Sequence, residues 1–175
     1  MMSDQVILVN EEDVEIGTLE KLTAHKIGAL HRAISILLFH PDWRILLQLR
    51  GKNKYHWWWR WTTTACSHPR HGETCDAAAS RRLEEEMGIV CSLSKVHEFV
   101  YKTSVWDNIR EHEYLHVYFG TYDWAIAPHP EEADGYRWIE PHHLNFLLSH
   151  YGRWFSPWFR ITLQELQDKW LFSLV

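Results

Sequence analysis

The segment from residue 111 to residue 122 alternates between two kinds of side chain, and it therefore predicts a β-strand with one face in the core. The inward row consists of Glu111, Glu113, Leu115, Val117 and Phe119, and the other row consists of His112, Tyr114, His116 and Tyr118. Two carboxylates thus lie in line with the apolar side chains. Because a buried carboxylate needs a metal ion, a proton or a cationic partner, this strand predicts a polar site inside the fold.

Residues 74–87 form the clearest helix in the sequence. Thr74 can cap its first turn, and Gly88 can end it in a left-handed conformation. The apolar stripe has a spacing of four and consists of Cys75, Ala79, Leu83 and Met87. The charged face carries Arg81, Arg82, Glu84, Glu85 and Glu86. Such a face is usually only solvated, but adjacent acids before a glycine can also hold a divalent cation.

The remaining periodic segments predict a sheet built mainly from hairpins, with few helices. Strands are expected at residues 5–9, 33–39, 44–50, 93–103 and 135–139, and Pro141 is expected to open a short helix. Ser156 and Pro157 begin a terminal helix. Its apolar stripe is expected to contain Phe159, Leu163, Leu166 and Trp170. Because no linker or repeat interrupts these elements, the sequence predicts one α+β domain over residues 1–175.

Between residues 61 and 73, three threonines lead into a cysteine, a histidine and a proline. β-Branched residues favour an extended backbone and Pro69 favours a break, so we expect Cys66 and His68 where a strand ends in a loop. Strand ends of this kind commonly line functional sites. A lone cysteine in such a place is more often a small buried apolar residue than a nucleophile or base, and the segment alone leaves both interpretations open.

Two further segments contain the residue types of a binding site. His25 and His31 are six positions apart, and they can meet at one metal if the chain between them is a loop that bends back. Two unrelated surface histidines are the simpler interpretation of this spacing. The segment 50–54 is basic and contains a glycine, which suits a phosphate or pyrophosphate, although a solvated loop is equally compatible with it.

Composition narrows the class of protein. The net charge of −5 disfavours a nucleic-acid-binding protein, because counterion release requires a basic face. No apolar run reaches the roughly 18 residues that cross a bilayer, and the first residues lack the features of a secretory signal. Since three cysteines cannot all pair, the cytoplasm is the expected compartment. The 13 histidines favour metal or proton chemistry, and the 11 tryptophans favour an aromatic-lined cavity or a bulky core.

The clearest helix and the segment before it resemble the Nudix box, in which a glycine and a glutamate precede an Arg-Glu-x-x-Glu-Glu-x-Gly helix at fixed spacing. The positions that match are Glu73, Arg81, Glu85, Glu86 and Gly88. Two positions depart from the pattern. Ser67 stands in place of the first glycine, and Arg82 stands in place of the glutamate that follows the arginine.

Four further motifs occur in the order found in type 1 isopentenyl-diphosphate isomerases, a family that the chain resembles. They are Thr18-Leu19-Glu20-Lys21 followed by His25, Cys66-Ser67-His68-Pro69, Glu111-x-Glu113, and Trp154-x-Ser156-Pro157-Trp158. The resemblance runs from about residue 5 to residue 170 and implies a Nudix-like mixed β-sheet sandwiched between helices. It also implies a divalent-metal-dependent enzyme that interconverts isopentenyl and dimethylallyl diphosphate by protonation and deprotonation.

The resemblance implies a role for each matching residue. Glu113, with Tyr101 beside it, is expected to exchange a proton on one side of the substrate, and Cys66 on the other. One divalent metal, which is Zn²⁺, Mn²⁺ or Mg²⁺, is assigned to His25, His31, His68, Glu111 and Glu113. Glu86 is expected to hold Mg²⁺ together with the substrate diphosphate. The remaining substrate contacts are assigned to Lys21, Arg50, Lys54, Arg82, Trp61 and Trp158.

Two other functions stay open. A Nudix-type diphosphate hydrolase accounts for Glu85 and Glu86 but gives Cys66 no task. A non-catalytic metal-binding or interaction module makes the inward acids purely structural. For the isomerase, the expected partner is a small-molecule diphosphate rather than nucleic acid or a membrane, and the chain is expected to be a monomer or a weak dimer.

Overall fold

The computed structural model describes residues 5–52, 59–106 and 109–174. Its strands are β1 (Gln5–Val9), β2 (Glu15–Glu20), β3 (His31–Phe39), β4 (Ile45–Arg50), β5 (Trp61–Thr62), β6 (Ala65–Ser67), β7 (Ser94–Trp106), β8 (Ile109–Thr121) and β9 (Ala133–Ile139). Its helices are α1 (Lys21–Ile27), α2 (Cys75–Met87), α3 (Pro141–Tyr151) and α4 (Pro157–Asp168), with a 3₁₀ turn at Gly152–Trp154. Within these described ranges, no helix has the length and apolar character needed to cross a membrane.

Strand β3 is the centre of the sheet. It pairs antiparallel with β1, β4 and β6 and parallel with β8. Strand β8 also pairs antiparallel with β7 over most of its length. Strand β9 adds to β4, and β2 adds to β1. The strands therefore form one mixed sheet, which confirms the predicted α+β class.

Helices pack against both faces of this sheet. Successive side chains of a strand point to opposite faces, so alternate residues of β3 enter different core layers. The layer that includes α4 contains Leu37, Leu47, Phe159, Leu163 and Leu166. The layer that includes α2 contains Ile36, Leu38, Ala79, Leu83 and Met87. Full burial of one such side chain contributes about 1.5–3 kcal/mol, so the two layers hold the helices on the sheet and confirm the predicted sandwich.

Helix α2 begins and ends where the sequence predicts. The Thr74 hydroxyl accepts a hydrogen bond from the backbone N–H of Ala77 at 3.2 Å. Gly88 ends the helix with φ of 66°, a conformation that disfavours residues with a Cβ. A Cβ at Gly88 would also lie only 2.7 Å from the carbonyl oxygen of Ala127. The last glycine of the Nudix box is therefore required both by its backbone conformation and by the space around it.

The chain between His25 and His31 leaves α1 at Ile27 and bends back through residues 28–30, as the interpretation of the two histidines as metal ligands required. Glu20 caps α1 by accepting two backbone N–H bonds, at 2.9 Å and 2.8 Å. Gly28 ends the helix with φ of 69° and turns the chain back toward the sheet. His25 thus lies in the last turn of α1 and His31 opens β3, so the reversal needed to bring them together comes from a helix end.

The three threonines before Cys66 do not form one continuous strand. Strand β5 ends at Thr62 and β6 begins at Ala65. The Thr64 hydroxyl accepts from a backbone N–H of β3 at 2.9 Å and donates to a backbone carbonyl of β4 at 2.7 Å. Cys66 lies in the middle of the three-residue strand β6. Because β6 ends at Ser67, Cys66 and His68 lie on either side of a strand end, which agrees with the prediction.

The prediction that Trp170 belongs to the apolar stripe of the terminal helix is wrong. Helix α4 ends at Asp168, and the backbone N–H of Leu171 bonds back to the carbonyl of Leu166 at 2.9 Å. Trp170 has φ of 59° and is 94% exposed. The other members of the predicted stripe, Phe159, Leu163 and Leu166, are buried as expected.

Candidate active site

Three predicted site residues lie in one row across neighbouring strands. Glu113 on β8 is paired with His31 on β3 and with Tyr101 on β7. Residues that are directly paired in a sheet point to the same face, so the imidazole, the carboxylate and the phenol are neighbours. Glu111 is two positions before Glu113 and faces the same way. All four side chains are buried.

Two more histidines reach this row from outside the sheet centre. His25 comes from the last turn of α1, and His68 follows β6. The ring centroids of the three imidazoles are 4.9 to 5.7 Å apart. One ligand atom each from His25, His31, His68 and Glu113 lies within 4.8 Å of all the others. Glu111 adjoins this group, with its Oε2 atom 3.2 Å from His25 Nε2.

The chemistry of these donor groups fits a divalent cation. His31 Nδ1 donates to the carbonyl of Ala29 at 2.9 Å, which leaves the Nε2 lone pair of the neutral ring directed at the cluster. Burial lowers the pKa of His31 to about 4 and the pKa of His68 well below its ordinary value. Both rings are therefore neutral near pH 7. Neutral imidazoles beside carboxylates are ligands that Zn²⁺ accepts and that Mn²⁺ and Mg²⁺ tolerate.

Glu113 has a different environment at each of its oxygens. Its Oε1 lies 3.3 Å from His68 Nε2, and its Oε2 accepts a 2.7 Å hydrogen bond from the Tyr101 hydroxyl. Burial, together with the negative charge of Glu111, raises the pKa of Glu113 well above its ordinary value. Burial, followed by the charge of Glu113, likewise raises the pKa of Tyr101. In the absence of a cation, Glu113 therefore binds a proton more tightly than an exposed glutamate does.

Most of the predicted site residues line one small cavity of about 80 Å³. Predicted residues on its wall are Lys21, His25, Arg50, Cys66, His68, Arg82, Glu111, Glu113 and Trp158. Cys66 is a partly buried cysteine of β6 that pairs with Ser35 on β3. The cavity thus has cations, a thiol, two carboxyl groups and an aromatic ring on its walls.

The other predicted residues lie behind this wall or outside the described chain. His31 and Tyr101 contact Glu113 and are themselves buried. Trp61 packs against the α4 core layer, and its carbonyl accepts from the backbone N–H of Ser156 at 2.9 Å, so its role as a substrate contact stays a prediction. Lys54 lies outside the described residues.

Trp158 is held in place by contacts that the sequence interpretation missed. Its indole N–H donates to the Thr62 hydroxyl at 3.0 Å, and that hydroxyl lies 3.0 Å from the Ser156 hydroxyl. The Arg50 guanidinium lies over the indole, with Cζ 4.9 Å from the ring centroid. Thr62 carried a sequence signal, since it is a polar residue that follows Trp61 in a segment predicted to be extended. The sequence interpretation used that threonine only as evidence for an extended backbone.

The Nudix helix places its acids against arginines. Arg81 forms two 2.7 Å hydrogen bonds to the carboxylate of Glu73, the first acid of the box. Arg82 donates to Glu86 at 2.7 Å and to Glu85 at 2.9 Å. Glu86 is 2% exposed, and its second oxygen accepts from Gln48 at 3.0 Å. Arg82, which stands in place of a glutamate of the hydrolase pattern, thus pairs with Glu85 and Glu86.

Comparison with known proteins agrees with this arrangement. The sequence profile of the NUDIX domain family matches residues 29–159. An Isopentenyl-diphosphate Delta-isomerase 1 from Aromatoleum aromaticum is 44% identical over 165 residues, which cover 94% of this chain and 93% of that protein. An Isopentenyl-diphosphate Delta-isomerase from Photobacterium profundum is 42% identical, with 94% of each chain covered. The enzyme of that name from Serratia proteamaculans is 39% identical, covering 94% of this chain and 92% of its own.

Solved structures share the fold at low sequence identity. A Deinococcus radiodurans protein superposes with a TM-score of 0.71 at 19% identity, covering 85% of this chain and 90% of its own. A Nudix hydrolase from M. smegmatis has a TM-score of 0.57 at 16% identity, covering 93% of this chain and 92% of its own. Identities of this size show the fold alone, whereas the sequence relatives show the family. The chain belongs to the isopentenyl-diphosphate Delta-isomerase family, within the NUDIX domain family.

Proposed function

We propose that this enzyme interconverts isopentenyl diphosphate and dimethylallyl diphosphate through protonation and deprotonation of the carbon skeleton. The names of its relatives support this function over nearly the whole chain. The observation that carries it is that Glu113 and Cys66 line the same small cavity. Two such groups can add a proton at one carbon and remove another elsewhere, as an allylic isomerisation by protonation and deprotonation requires, whereas a diphosphate hydrolase gives the thiol no task.

In the proposed reaction, protonated Glu113 gives its proton to the terminal alkene carbon, and a tertiary carbocation forms. Cys66, as the thiolate, then removes a proton from the carbon on the other side of the cationic centre, and the electrons of that C–H bond become the new double bond. One proton enters and one leaves, so the diphosphate ester keeps its composition. The burial that raises the pKa of Glu113 supports its role as the acid, since a buried carboxyl group binds a proton more tightly than an exposed one. Tyr101 orients the carboxyl group through its 2.7 Å hydrogen bond.

We assign the diphosphate to the cations of the cavity wall. Lys21, Arg50 and Arg82 line the cavity, and Lys54 belongs to the same basic segment of the sequence as Arg50. Glu86 is the acid we assign to a Mg²⁺ ion that accompanies the diphosphate, because Mg²⁺ prefers a few oxygen ligands together with phosphate oxygens. Binding through fixed cations orients the five-carbon chain, so its reacting carbons face the proton-exchanging groups.

The aromatic wall protects the cationic intermediate. Trp158 is buried and presents its ring to the cavity, where a desolvated cation–π contact is worth about 2 kcal/mol. Trp61 is the second ring that we assign to this wall. Exclusion of water matters equally, because water would capture the carbocation as an alcohol.

We assign one further divalent ion to His25, His31, His68, Glu111 and Glu113. Four of these residues place ligand atoms within 4.8 Å of one another, and Glu111 lies beside His25. When bound, such an ion would hold the two buried carboxylates in place and increase the acidity of a proton on the coordinated carboxyl group. The ligand set is compatible with Zn²⁺, Mn²⁺ or Mg²⁺. We also expect a cytoplasmic enzyme that is a monomer or a weak dimer.

Turnover by the purified protein tests this function. Isopentenyl diphosphate and Mg²⁺ are incubated with the enzyme, and ¹H and ³¹P NMR follow the carbon skeleton and the phosphate groups together. The isomerase produces dimethylallyl diphosphate with both phosphates still attached. Release of inorganic phosphate without rearrangement would instead indicate the hydrolase. A substrate that stays unchanged in the presence of metal-loaded protein would favour the non-catalytic module.

A further inference from the structure

A β-bulge lies next to the Arg50 wall of the cavity. Strand β9 pairs with β4 so that Gly135 is opposite Leu49 and Ala133 is opposite Arg50. Asp134 is therefore an extra residue in β9 with no residue opposite it. A bulge of this kind redirects the side chain of the extra residue, and bulges are frequent beside active sites. In this sheet the bulge occurs at the position where β4 delivers Arg50 to the cavity.

The redirected carboxylate connects two parts of the chain. Asp134 Oδ2 accepts the backbone N–H of Lys52 at 2.9 Å and the indole N–H of Trp59 at 2.7 Å. Arg50 lies between these two donors in the backbone ladder, because its carbonyl accepts from the N–H of Trp59 and its N–H donates to the carbonyl of Arg60, both at 3.0 Å. One carboxylate oxygen thus joins both sides of the hairpin just beyond Arg50.

The backbone around Arg50 also needs such support. Trp59 has φ of 56°, a conformation that typically costs about 1 kcal/mol or more for a residue with a side chain. Gly51 donates to the carbonyl of Glu132 at 3.0 Å, and a Cβ on Gly51 would be 3.0 Å from the same oxygen. The segment 132–134 therefore approaches this hairpin closely and holds it at several points.

We propose that Asp134 is a positioning residue for Arg50. Its carboxylate fixes the hairpin through two charge-assisted hydrogen bonds, which are about twice as strong as neutral ones. The backbone of Arg50 is thereby held so that its guanidinium stays over Trp158 and on the cavity wall. An acidic residue near a diphosphate site would weaken binding if it competed for the cations, but this carboxylate engages neutral N–H groups. The inference rests on the proposed function, in which Arg50 binds the diphosphate.

The test separates substrate binding from turnover. We expect Asp134→Ala to raise the KM for isopentenyl diphosphate three- to tenfold and to change kcat less than twofold. The Kd for inorganic pyrophosphate with Mg²⁺, measured by calorimetry, should rise by the same factor. Asp134→Asn keeps an oxygen acceptor and should restore most of the affinity. Asp123→Ala removes an exposed aspartate from the loop after β8 and serves as the matched control.

A second variant tests whether Asp134 acts through its hydrogen bond with Trp59. Trp59→Phe removes one of the two donors, and combined with Asp134→Ala it should raise the Kd for pyrophosphate by less than the product of the two single effects. An unchanged KM and an unchanged Kd in Asp134→Ala, or a fall in kcat at constant Kd, would overturn the proposal. If the wild-type enzyme fails to isomerise, the proposed function falls, and the pyrophosphate titration still decides the role of Asp134. If Asp134→Ala does not fold, Trp59→Phe carries the same comparison.

Discussion

Tyr101 and Glu113 lie opposite each other on β7 and β8, and the Tyr101 hydroxyl donates a 2.7 Å hydrogen bond to Glu113 Oε2. The tyrosine thereby occupies one carboxyl oxygen of Glu113, while the other oxygen faces the imidazole cluster. This leaves the carboxyl group with a fixed orientation beside the cavity. A catalytic acid that must protonate an alkene, which is a very weak base, benefits directly from such restraint.

The Glu113–Tyr101 pair gives the first prediction. Glu113→Gln removes the acidic proton and should reduce kcat at least about 10³-fold, whereas Tyr101→Phe removes only the orienting bond and should reduce kcat about 10- to 100-fold. Steady-state kinetics with isopentenyl diphosphate measures both. The exposed Tyr136 on β9 provides the control Tyr136→Phe. Equal losses in Tyr101→Phe and Glu113→Gln would contradict the division of roles.

Cys66 should be required for turnover, whereas Cys75 and Cys91 should not. We expect Cys66→Ala to lower kcat about 10²- to 10⁴-fold, which is the usual contribution of a proton-exchanging side chain. Cys91→Ala removes another partly buried free thiol and should keep activity within about twofold. Circular dichroism confirms that both variants fold. Near-normal turnover by Cys66→Ala would remove the thiol from the mechanism.

Loss of one imidazole should weaken metal binding before it affects the fold. His31→Gln removes a ligand atom whose orientation is set by the Ala29 carbonyl, and we expect affinity for Zn²⁺ or Mn²⁺ to fall about tenfold or more. Elemental analysis after dialysis against each metal gives the bound metal per chain. His150→Gln, at an exposed position of α3, should bind as much metal as the wild type. Equal metal content in the two variants would speak against this ligand set.

Thr62 should support Trp158 through a buried hydrogen bond. Thr62→Val keeps the shape of the side chain but leaves the indole N–H of Trp158 without its acceptor, so the free energy of unfolding should fall by about 1–3 kcal/mol. Urea denaturation measures this loss. Because the ring also lines the cavity, kcat should fall about tenfold. Thr121→Val, at an exposed position on β8, should change neither quantity, and an effect of similar size there would refute the assignment.

The parts of the fold that depend on local chemistry were predictable. Thr74 and Gly88 bound α2 as expected, and the alternation after residue 110 gave β8 and its inward acids. The break between β5 and β6 was not predictable, because a contact distant in the sequence decides it. Thr64 separates β5 from β6 because its hydroxyl bonds β3 and β4, and local propensity carries no information about those strands.

In the candidate site, too, some features could be predicted from the sequence and others could not. The residue types were recognisable from motifs, but their meeting depends on the pairing of β3 with β8, which puts His31 beside Glu113 across 82 positions of sequence. The supporting residues were not predictable in the same way. Asp134 looks like an ordinary exposed acid near a turn, and only the bulge in β9 directs it to the hairpin that carries Arg50.

The location of deuterium in the product tests the central claim most directly. Isopentenyl diphosphate is converted by the wild-type enzyme in D₂O with Mg²⁺, and ¹H and ²H NMR of the early product give the labelled carbon. If Glu113 supplies a proton that exchanges with solvent and Cys66 removes another, dimethylallyl diphosphate should carry one deuterium in the newly formed methyl group. Glu113→Gln should abolish this incorporation. If the wild-type enzyme forms dimethylallyl diphosphate that contains no solvent deuterium, the account is contradicted. The hydrogen would then have moved within the substrate.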